Sequence, residues 1–288
     1  PYPLNMSSAR AFGQAVTAPN GDPLLIGGFS ELSDGALSAS GDAIERYNAA
    51  TGLFQVEAWE GDSAANIGQA GIVTLARAET TQVALVGGAS GATLGPDGPH
   101  RYTGASGDIV ILDLDEGSVV VREGATEPVV SPGVLAVGAA LVVVGGWRAD
   151  DSGALASSAA ISRCAADGAD YTCTEIGSLT TARTSPSVFC LDDSCDQLLV
   201  VGGNTDGPVA EVIDFTSSTM SPELTSMASP GLPAVLHFPV VCSGKLLGGG
   251  DADGQGFLPL TIDGDASVGV LSVNELENLD GIQTSAQA

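Results

Sequence analysis

The residues with the clearest potential for recognition chemistry lie in one short stretch, Trp147-Arg148 followed by Asp150-Asp151. An aromatic ring, a cation and two carboxylates stand close together there. Such a group can stack on a sugar ring or anchor a protein partner. The alternative interpretation is that Trp147 packs against a neighbouring β-sheet and has no ligand.

Two further groups of polar residues are candidates for the same kind of binding. His100 and Arg101 precede Tyr102, and Asn204 and Asp206 follow an apolar strand. Both groups lie in predicted loops, where binding residues are concentrated in many folds. Ordinary surface decoration of the loops explains them as well.

Asp251 and Asp253 form the segment most similar to a calcium loop, Asp251-Ala252-Asp253-Gly254. Calcium requires six to eight oxygen ligands, and this segment supplies two carboxylates at most. The pattern therefore favours a solvated turn, with Ca²⁺ as the alternative. No other cofactor is predicted.

Sequence motifs for catalysis are scarce. The chain has two histidines, His100 and His237, and contains no Gly-x-Ser-x-Gly, phosphate-binding loop or His-Glu-x-x-His pattern. A non-catalytic role is favoured. A carbohydrate-active enzyme that uses arginine and glutamate remains the less favoured alternative, because such a site leaves no linear motif.

Four of the five cysteines are predicted to form two local disulfides, Cys164–Cys173 and Cys190–Cys195. Each pair brackets a short segment of turn-forming residues, so each lies across the neck of a predicted hairpin. Disulfides indicate an oxidising location: extracellular, cell-surface or periplasmic. Asn5-Met6-Ser7 also matches the N-glycosylation pattern, which often occurs by chance.

The charge of the chain is strongly acidic, with 35 Asp and Glu against 9 Lys and Arg and a formal net charge of −26. Such a surface repels phosphate backbones and anionic lipid surfaces, so nucleic-acid partners are disfavoured. The longest apolar run is too short for a membrane-spanning helix.

An apolar strand ending in a glycine pair occurs five times, at Gly27-Gly28, Gly87-Gly88, Gly145-Gly146, Gly202-Gly203 and Gly248-Gly249. A repeat of about 50 residues is the size of a four-stranded propeller blade. Each pair is preceded by a strand and turn, and followed by a variable loop and two more strands. In the fourth copy the predicted strands include residues 186–190, 197–203 and 210–215. The sequence therefore predicts an all-β fold.

This order of strands resembles the kelch repeat. Met6-Ser7-Ser8-Ala9-Arg10 and Leu179-Thr180-Thr181-Ala182-Arg183 match its Leu-x-x-x-Arg start, and Ile44-Glu45-Arg46-Tyr47-Asn48 followed by Thr51-Gly52 matches its second half. The second, third and fifth copies lack the starting arginine. The resemblance implies one kelch-like β-propeller over residues 1–288, with blades at about 6–60, 61–123, 124–178, 179–226 and 227–279 and a tail at 280–288. Five blades are expected, and six remain possible.

The resemblance also implies where binding occurs. In kelch-like propellers the loops after the glycine strand share one rim with the start of the first strand. Arg10 and Arg183 are therefore expected on the same rim as Trp147 and the two long loops, 29–41 and 89–107. The copper oxidases built on kelch propellers need several His and Tyr ligands, which this chain lacks.

These observations predict an extracellular or cell-surface propeller that binds a protein or a glycan without catalysis. The alternative is a structural subunit that builds or decorates an extracellular assembly, with copies of itself or other subunits as partners.

Overall fold

The described part of the chain is all-β. The structure is a computed structural model, which describes residues 6, 9–33, 35–39, 44–62, 67–76, 80–95, 98–149, 154–167, 170–191, 194–203, 210–218, 220–226, 240–242, 245–248, 258–263 and 267–270. These residues contain 27 strands and no helix. Consequently, they include no helix that could cross a membrane.

The strands of the first two repeats are β1 (Gln14–Thr17), β2 (Pro23–Ile26), β3 (Phe29–Ser33), β4 (Ala36–Ala39), β5 (Ile44–Asn48), β6 (Leu53–Glu57), β7 (Glu60–Gly61), β8 (Gly71–Ala76), β9 (Thr81–Val86), β10 (Ala89–Gly95), β11 (Gly98–Ala105), β12 (Ile109–Asp113) and β13 (Ser118–Arg122). Those of the last three are β14 (Val129–Val130), β15 (Gly133–Val137), β16 (Ala140–Val144), β17 (Trp147–Ala149), β18 (Leu155–Asp167), β19 (Asp170–Arg183), β20 (Ser187–Cys190), β21 (Gln197–Val201), β22 (Ala210–Asp214), β23 (Glu223–Ser226), β24 (Val240–Cys242), β25 (Lys245–Gly248), β26 (Leu258–Asp263) and β27 (Ser267–Val270).

Each glycine-pair repeat contributes antiparallel strands, in chain order, to one sheet. The first, fourth and fifth repeats form four-stranded sheets in the orders β1-β2-β5-β6, β20-β21-β22-β23 and β24-β25-β26-β27. The second repeat has the order β8-β9-β12-β13, with β7 added in parallel beside β13. The third is larger: β15, β16 and β18 pair in order, β18 also pairs with β17 and β19, and β17 pairs with β14.

The two long segments predicted to be loops are β-hairpins, which corrects that expectation. Strands β3 and β4 form one hairpin, β10 and β11 form the other, and β4 pairs with β10. The four strands make a separate sheet in the order β11-β10-β4-β3, which we call the hairpin sheet. Within this sheet β4 and β10 are paired on both sides, so the two insertions supply backbone hydrogen-bond partners to each other.

The chain divides into two compact units. The N-terminal unit comprises Tyr2–Ala156 and Ser162–Thr174, and the C-terminal unit comprises Pro1, Ser157–Ile161 and Glu175–Ala288. The long β18–β19 hairpin contributes residues to both units.

The core of the N-terminal unit lies between its sheets. One apolar cluster joins Leu24, Ile26 and Ile44 of the first repeat to Leu85 and other residues of the second. Another joins the second repeat to the third and includes Val86, Ile109, Leu141 and Val143. In the C-terminal unit, the buried side chains include Leu198, Leu199, Val200, Val201 and Ile213.

The glycine pairs permit close backbone approach. In all four pairs that the structure describes completely, both glycines have positive φ, between 62° and 111°. A Cβ on Gly87 would lie 2.1 Å from the carbonyl oxygen of Val129, at the entrance of the third repeat. A Cβ on Gly28 would lie 2.7 Å from the carbonyl oxygen of Ala11, within its own repeat. A side chain is excluded at both positions, which explains the recurrence of glycine.

A second backbone feature also repeats. Phe12, Gln69, Ser131 and Ser185 have left-handed φ values of 58°, 52°, 54° and 51°. Each lies two residues before the strand that precedes the glycine-pair strand of its repeat, namely β1, β8, β15 or β20. Left-handed non-glycine residues are uncommon, so their recurrence at one position identifies a shared turn at the entrance of four repeats.

The two predicted disulfides are confirmed. Cys164 bridges to Cys173 across the β18–β19 hairpin, and Cys190 bridges to Cys195 across the turn between β20 and β21.

Candidate functional site

The solvent face of the hairpin sheet presents polar side chains. Ser38 lies opposite Gly91, which lies opposite Thr103, and Thr93 lies opposite Arg101. Thr93, Arg101 and Thr103 are exposed. Because side chains alternate along a strand, Ser38, Thr93, Arg101 and Thr103 share one face, which we call the rim surface.

The opposite face of the hairpin sheet packs on an apolar cluster. Tyr102 lies opposite Ala92, which lies opposite Leu37, and these residues join Phe29 and Trp147 in one cluster. The ring centroids of Tyr102 and Trp147 are 6.0 Å apart, with the planes tilted by 54°. Trp147 is half-buried. The contact with Tyr102 fits the interpretation in which Trp147 packs against a neighbouring sheet. A role for Trp147 in binding stays a prediction.

A buried glutamine fixes Tyr102. The Tyr102 hydroxyl donates a 2.5 Å hydrogen bond to Oε1 of Gln69, which is the left-handed residue of the second repeat. The carbonyl oxygen of Gln69 also accepts a hydrogen bond from the amide of Ser131, the left-handed residue of the third repeat. Burial raises the pKa of Tyr102 to about 12, against the opposing effect of the bond to Gln69. Tyr102 is therefore neutral at physiological pH, and Gln69 holds its hydroxyl in place.

The backbone of Trp147 occupies a repeated position. In three repeats, the residue just before the left-handed residue pairs with the residue just after the glycine pair: Ala11 with Phe29, Gly68 with Ala89, and Val130 with Trp147. Phe29 and Ala89 are 1% and 0% exposed. Trp147 thus stands where the other repeats bury an apolar residue.

Arg10 and Arg183, predicted on the rim, are buried in ion pairs. Arg183 donates from Nη2 to Glu211 at 2.9 Å and from Nη1 to the carbonyl oxygen of Gly202 at 2.8 Å, and both charged side chains have no solvent exposure. Arg10 makes the matching contacts with Glu45 and with the carbonyl oxygen of Gly27.

These contacts correct the expected binding role of Arg10 and Arg183, because a buried guanidinium offers no surface to a ligand; their placement on a rim stays a prediction. Burial lowers the pKa of Arg183, although the hydrogen bond and charge of Glu211 oppose that effect. The pair instead connects the start of the repeat to its third strand and to its glycine pair.

The second repeat replaces this ion pair with apolar residues. Ile67 precedes the left-handed Gln69 by two residues, as Arg183 precedes Ser185. Val110 pairs with Leu85, two residues before the glycine pair, just as Glu211 pairs with Val200. Ile67 and Val110 belong to the same buried cluster. The same site in the repeat therefore accepts either a charged or an apolar pair.

Arg148 is also largely buried. It donates from Nη1 to Glu127 at 3.5 Å and from Nη2 to the Ser162 hydroxyl at 3.3 Å, with a side-chain exposure of 10%. The Arg148 guanidinium is thus held between two polar neighbours and is largely shielded from solvent. His100 lies on β11, beside the exposed Arg101.

The remaining candidates lie outside the described residues. They are Asp150, Asp151, Asn204, Asp206, the possible calcium ligands Asp251 and Asp253, and the possible glycosylation site Asn5.

Two aspartates with shifted pKa values cap turns. Burial opposes ionisation of Asp113, but hydrogen bonds from the backbone amides of Glu116 and Asp115 and from Gln82 and Thr80 outweigh it and lower the pKa. The hydroxyl and amide of Thr216 lower the pKa of Asp214, assisted by Gln197. Both groups end the third strand of a repeat. Within the described ranges, no three His, Cys, Asp or Glu residues are grouped as metal ligands would be.

No protein-family model matches this chain. A search of curated proteins finds no match either.

Proposed function

We propose that this protein is an extracellular kelch-like β-propeller that binds a protein or a glycan through its rim surface. The observation that carries the proposal is the hairpin sheet, in which the insertions of two repeats combine to present Thr93, Arg101 and Thr103 to solvent beside the half-buried Ser38. Recognition commonly resides in such insertions on a rigid scaffold.

The architecture supports the propeller part of the proposal. Five repeats each supply strands in sequence order to an antiparallel sheet, and four share the left-handed entry residue and the positive-φ glycine pair. In a propeller, each such sheet is one blade. Solution X-ray scattering tests this proposal: a closed propeller predicts one compact particle, and an elongated two-body profile would contradict it.

The two disulfides support the location. Local disulfides persist in oxidising compartments and are rare in the cytosol. The net charge of −26 favours neutral or cationic partners.

A glycan array, followed by calorimetric titration of any hit, tests binding at the rim surface. Arg101→Ala should weaken binding at least fivefold, because an exposed guanidinium contributes about 1 kcal/mol or more through its hydrogen bonds to a ligand. The control is Arg122→Ala, which removes a surface arginine whose partner Asp170 is 3.5 Å away. Equal affinity of both variants and the wild type would refute this site.

The structural-subunit alternative has its own support. On β6, the outer strand of the first sheet, Leu53 and Val56 are 43% and 58% exposed. The corresponding strand of the second repeat, β13, is covered by β7. Exposed apolar residues on an outer strand can promote self-association. Light scattering over a concentration series should detect oligomers that Val56→Asp dissolves, whereas a monomer at all concentrations would eliminate this candidate.

A further inference from the structure

A polar groove lies at the outer end of the first sheet, separate from the rim surface. Its volume is 420 Å³, within the usual range of small-ligand sites. It occupies the end of the β5–β6 hairpin, and its lining residues are Asp22, Arg46, Tyr47, Asn48, Ala49, Gln55, Val56 and Glu57.

Strand register places the polar groups of the groove together. Arg46 lies opposite Gln55, Ile44 lies opposite Glu57, and Asn48 lies two positions beyond Arg46. Because side chains alternate, Arg46, Asn48, Gln55 and Glu57 share the sheet face that carries the buried Ile44. These four polar side chains of the groove are therefore at the solvent end of the face that carries Ile44.

An ion pair fixes two walls of the groove. Arg46 donates from Nε to Oε1 of Glu57 at 2.5 Å and from Nη2 to Oε2 at 3.2 Å, and Trp59 donates from Nε1 to Oε2 at 3.1 Å. The Arg46 and Glu57 side chains retain 22% and 29% exposure. The Arg46 guanidinium is thus oriented by the protein but remains accessible to a ligand.

The amide groups of the groove are held in a similar way. Oδ1 of Asn48 accepts hydrogen bonds from the backbone amides of Ala50 and Thr51, which fixes the turn. Nδ2 of Asn48 donates a hydrogen bond to Oε1 of Gln55 at 3.3 Å. Gln55 is exposed. Its carboxamide carries two N–H donors and a carbonyl acceptor at the mouth of the groove.

The mixture of donors and acceptors indicates the class of ligand. The groove contains one cation, Arg46, and two carboxylates, Asp22 and Glu57, on a chain of net charge −26. Anionic ligands are therefore repelled. Hydroxyl groups both donate and accept, so adjacent hydroxyls match fixed carboxylate, guanidinium and amide groups.

We propose that this groove binds a neutral carbohydrate. The site does not depend on the rim surface, so either proposal can fail without the other. Sequence reasoning assigned none of the groove residues to binding, because their side chains come together through the register of β5 and β6.

Saturation-transfer NMR and calorimetry with defined sugars test the proposal. The probes are methyl α-mannopyranoside, methyl β-galactopyranoside and methyl β-glucopyranoside, with N-acetylneuraminic acid as the anionic comparison. At least one neutral glycoside should bind saturably. Gln55→Ala should weaken it about fivefold, the effect of one lost hydrogen bond. Gln55→Glu should weaken it as well, by removing the N–H donors while keeping the shape.

The matched control is Arg122→Ala, which removes an arginine of β13 that belongs neither to the groove nor to the rim surface, and this variant should bind the same glycoside with wild-type affinity. The groove proposal is overturned if none of the three glycosides binds, if both Gln55 variants bind normally, or if the anionic sugar binds more tightly. Binding that is lost in Arg101→Ala but kept in both Gln55 variants would support the rim surface and overturn the groove. Self-association that the Gln55 variants abolish, without sugar binding, would also overturn it in favour of a protein contact.

Discussion

The buried Arg183–Glu211 pair can be exchanged for the apolar pair that the second repeat already uses. The perturbations are Arg183→Ile, Glu211→Val and the double variant, which copies Ile67 and Val110. Both charged side chains are fully buried. Each single substitution therefore leaves the opposite charge buried without its main counterion.

The magnitudes follow from the contacts. Removing one partner of a buried ion pair costs about 3–5 kcal/mol. The double variant leaves no buried charge there, but it removes the bond from Arg183 to the Gly202 carbonyl and the two bonds from Thr180 to Glu211. Thr180 is exposed and can bond to water, so the main loss is at Gly202, about 1–2 kcal/mol. We therefore expect the double variant to be more stable than either single one, with a coupling of about 3 kcal/mol or more.

Urea unfolding followed by far-ultraviolet circular dichroism measures these differences, with both disulfides kept oxidised. The control is Arg46→Met, which breaks a partly exposed pair and should cost about 1 kcal/mol or less. If Arg183→Ile does not fold, recovery of folded protein in the double variant still tests the coupling. Additive losses from the two single substitutions, or losses below about 1 kcal/mol each, would refute the reasoning.

Three further predictions concern stability. Gly87→Ala should cost at least about 2 kcal/mol more than Gly117→Ala in urea unfolding, because the two glycines have φ values of 68° and 67° but only a Cβ on Gly87 meets backbone, at 2.1 Å. Equal losses would show that φ alone requires glycine at these sites. Replacing both Cys190 and Cys195 by serine should cost about 2 kcal/mol, the loop-entropy value for a separation of 5 residues, and lower the thermal midpoint; an unchanged midpoint would contradict this. Asp113→Asn should reduce the loss of folding stability at acidic pH. The pKa of Asp113 is lowered by folding, so its stabilisation is complete above about pH 4, the unfolded pKa, and is lost as the pH falls toward the folded value. Unfolding midpoints from pH 7 to 2.5 should therefore fall less in the variant, and parallel pH profiles would contradict the assignment.

The repeating strands could be predicted from the sequence because the pattern is local. Apolar runs ending in glycine pairs, with turn residues on both sides, predicted strands at 186–190 and 197–203, where the structure has Ser187–Cys190 and Gln197–Val201. The disulfides were predictable for the same reason, since their cysteines are separated by 9 and 5 residues. Short-range geometry leaves few alternatives at such distances.

The hairpin sheet could not be predicted in this way. Its strand β10 has the sequence Ala-Ser-Gly-Ala-Thr-Leu-Gly, which is rich in small residues typical of loops and has few of the β-branched and aromatic residues that favour strands. Its pairing with β4 brings together segments about fifty residues apart in the chain. Tertiary pairing, and not local propensity, determines these strands.

The predicted roles of Arg10 and Arg183 depended on their partners, which lie 35 and 28 residues away. A signal was present in the sequence: the repeats with the starting arginine have glutamate on the third strand, whereas the second repeat has Ile67 and Val110 at these positions. Co-variation between repeats of one chain indicates contact, so comparing the repeats by position would have paired these residues. The groove gave no such signal. Asn48 ends the third strand of its repeat as the turn-capping Asp113 and Asp214 do, whereas Arg46 and Gln55 correspond to the apolar Ile111 and Val120 of the second repeat.

This difference provides a way to separate architecture from function in a repeat protein. A feature that recurs at the same position in several repeats, such as the left-handed entry residue or the Gly87 approach to Val129, satisfies a need that every repeat shares. A ligand site on one repeat need not recur. Arg101 on the rim surface and Gln55 in the groove are exposed polar residues of single repeats, and neither is required by the fold around it. Substituting them should therefore affect binding while leaving stability unchanged, whereas substituting the recurrent residues should do the reverse.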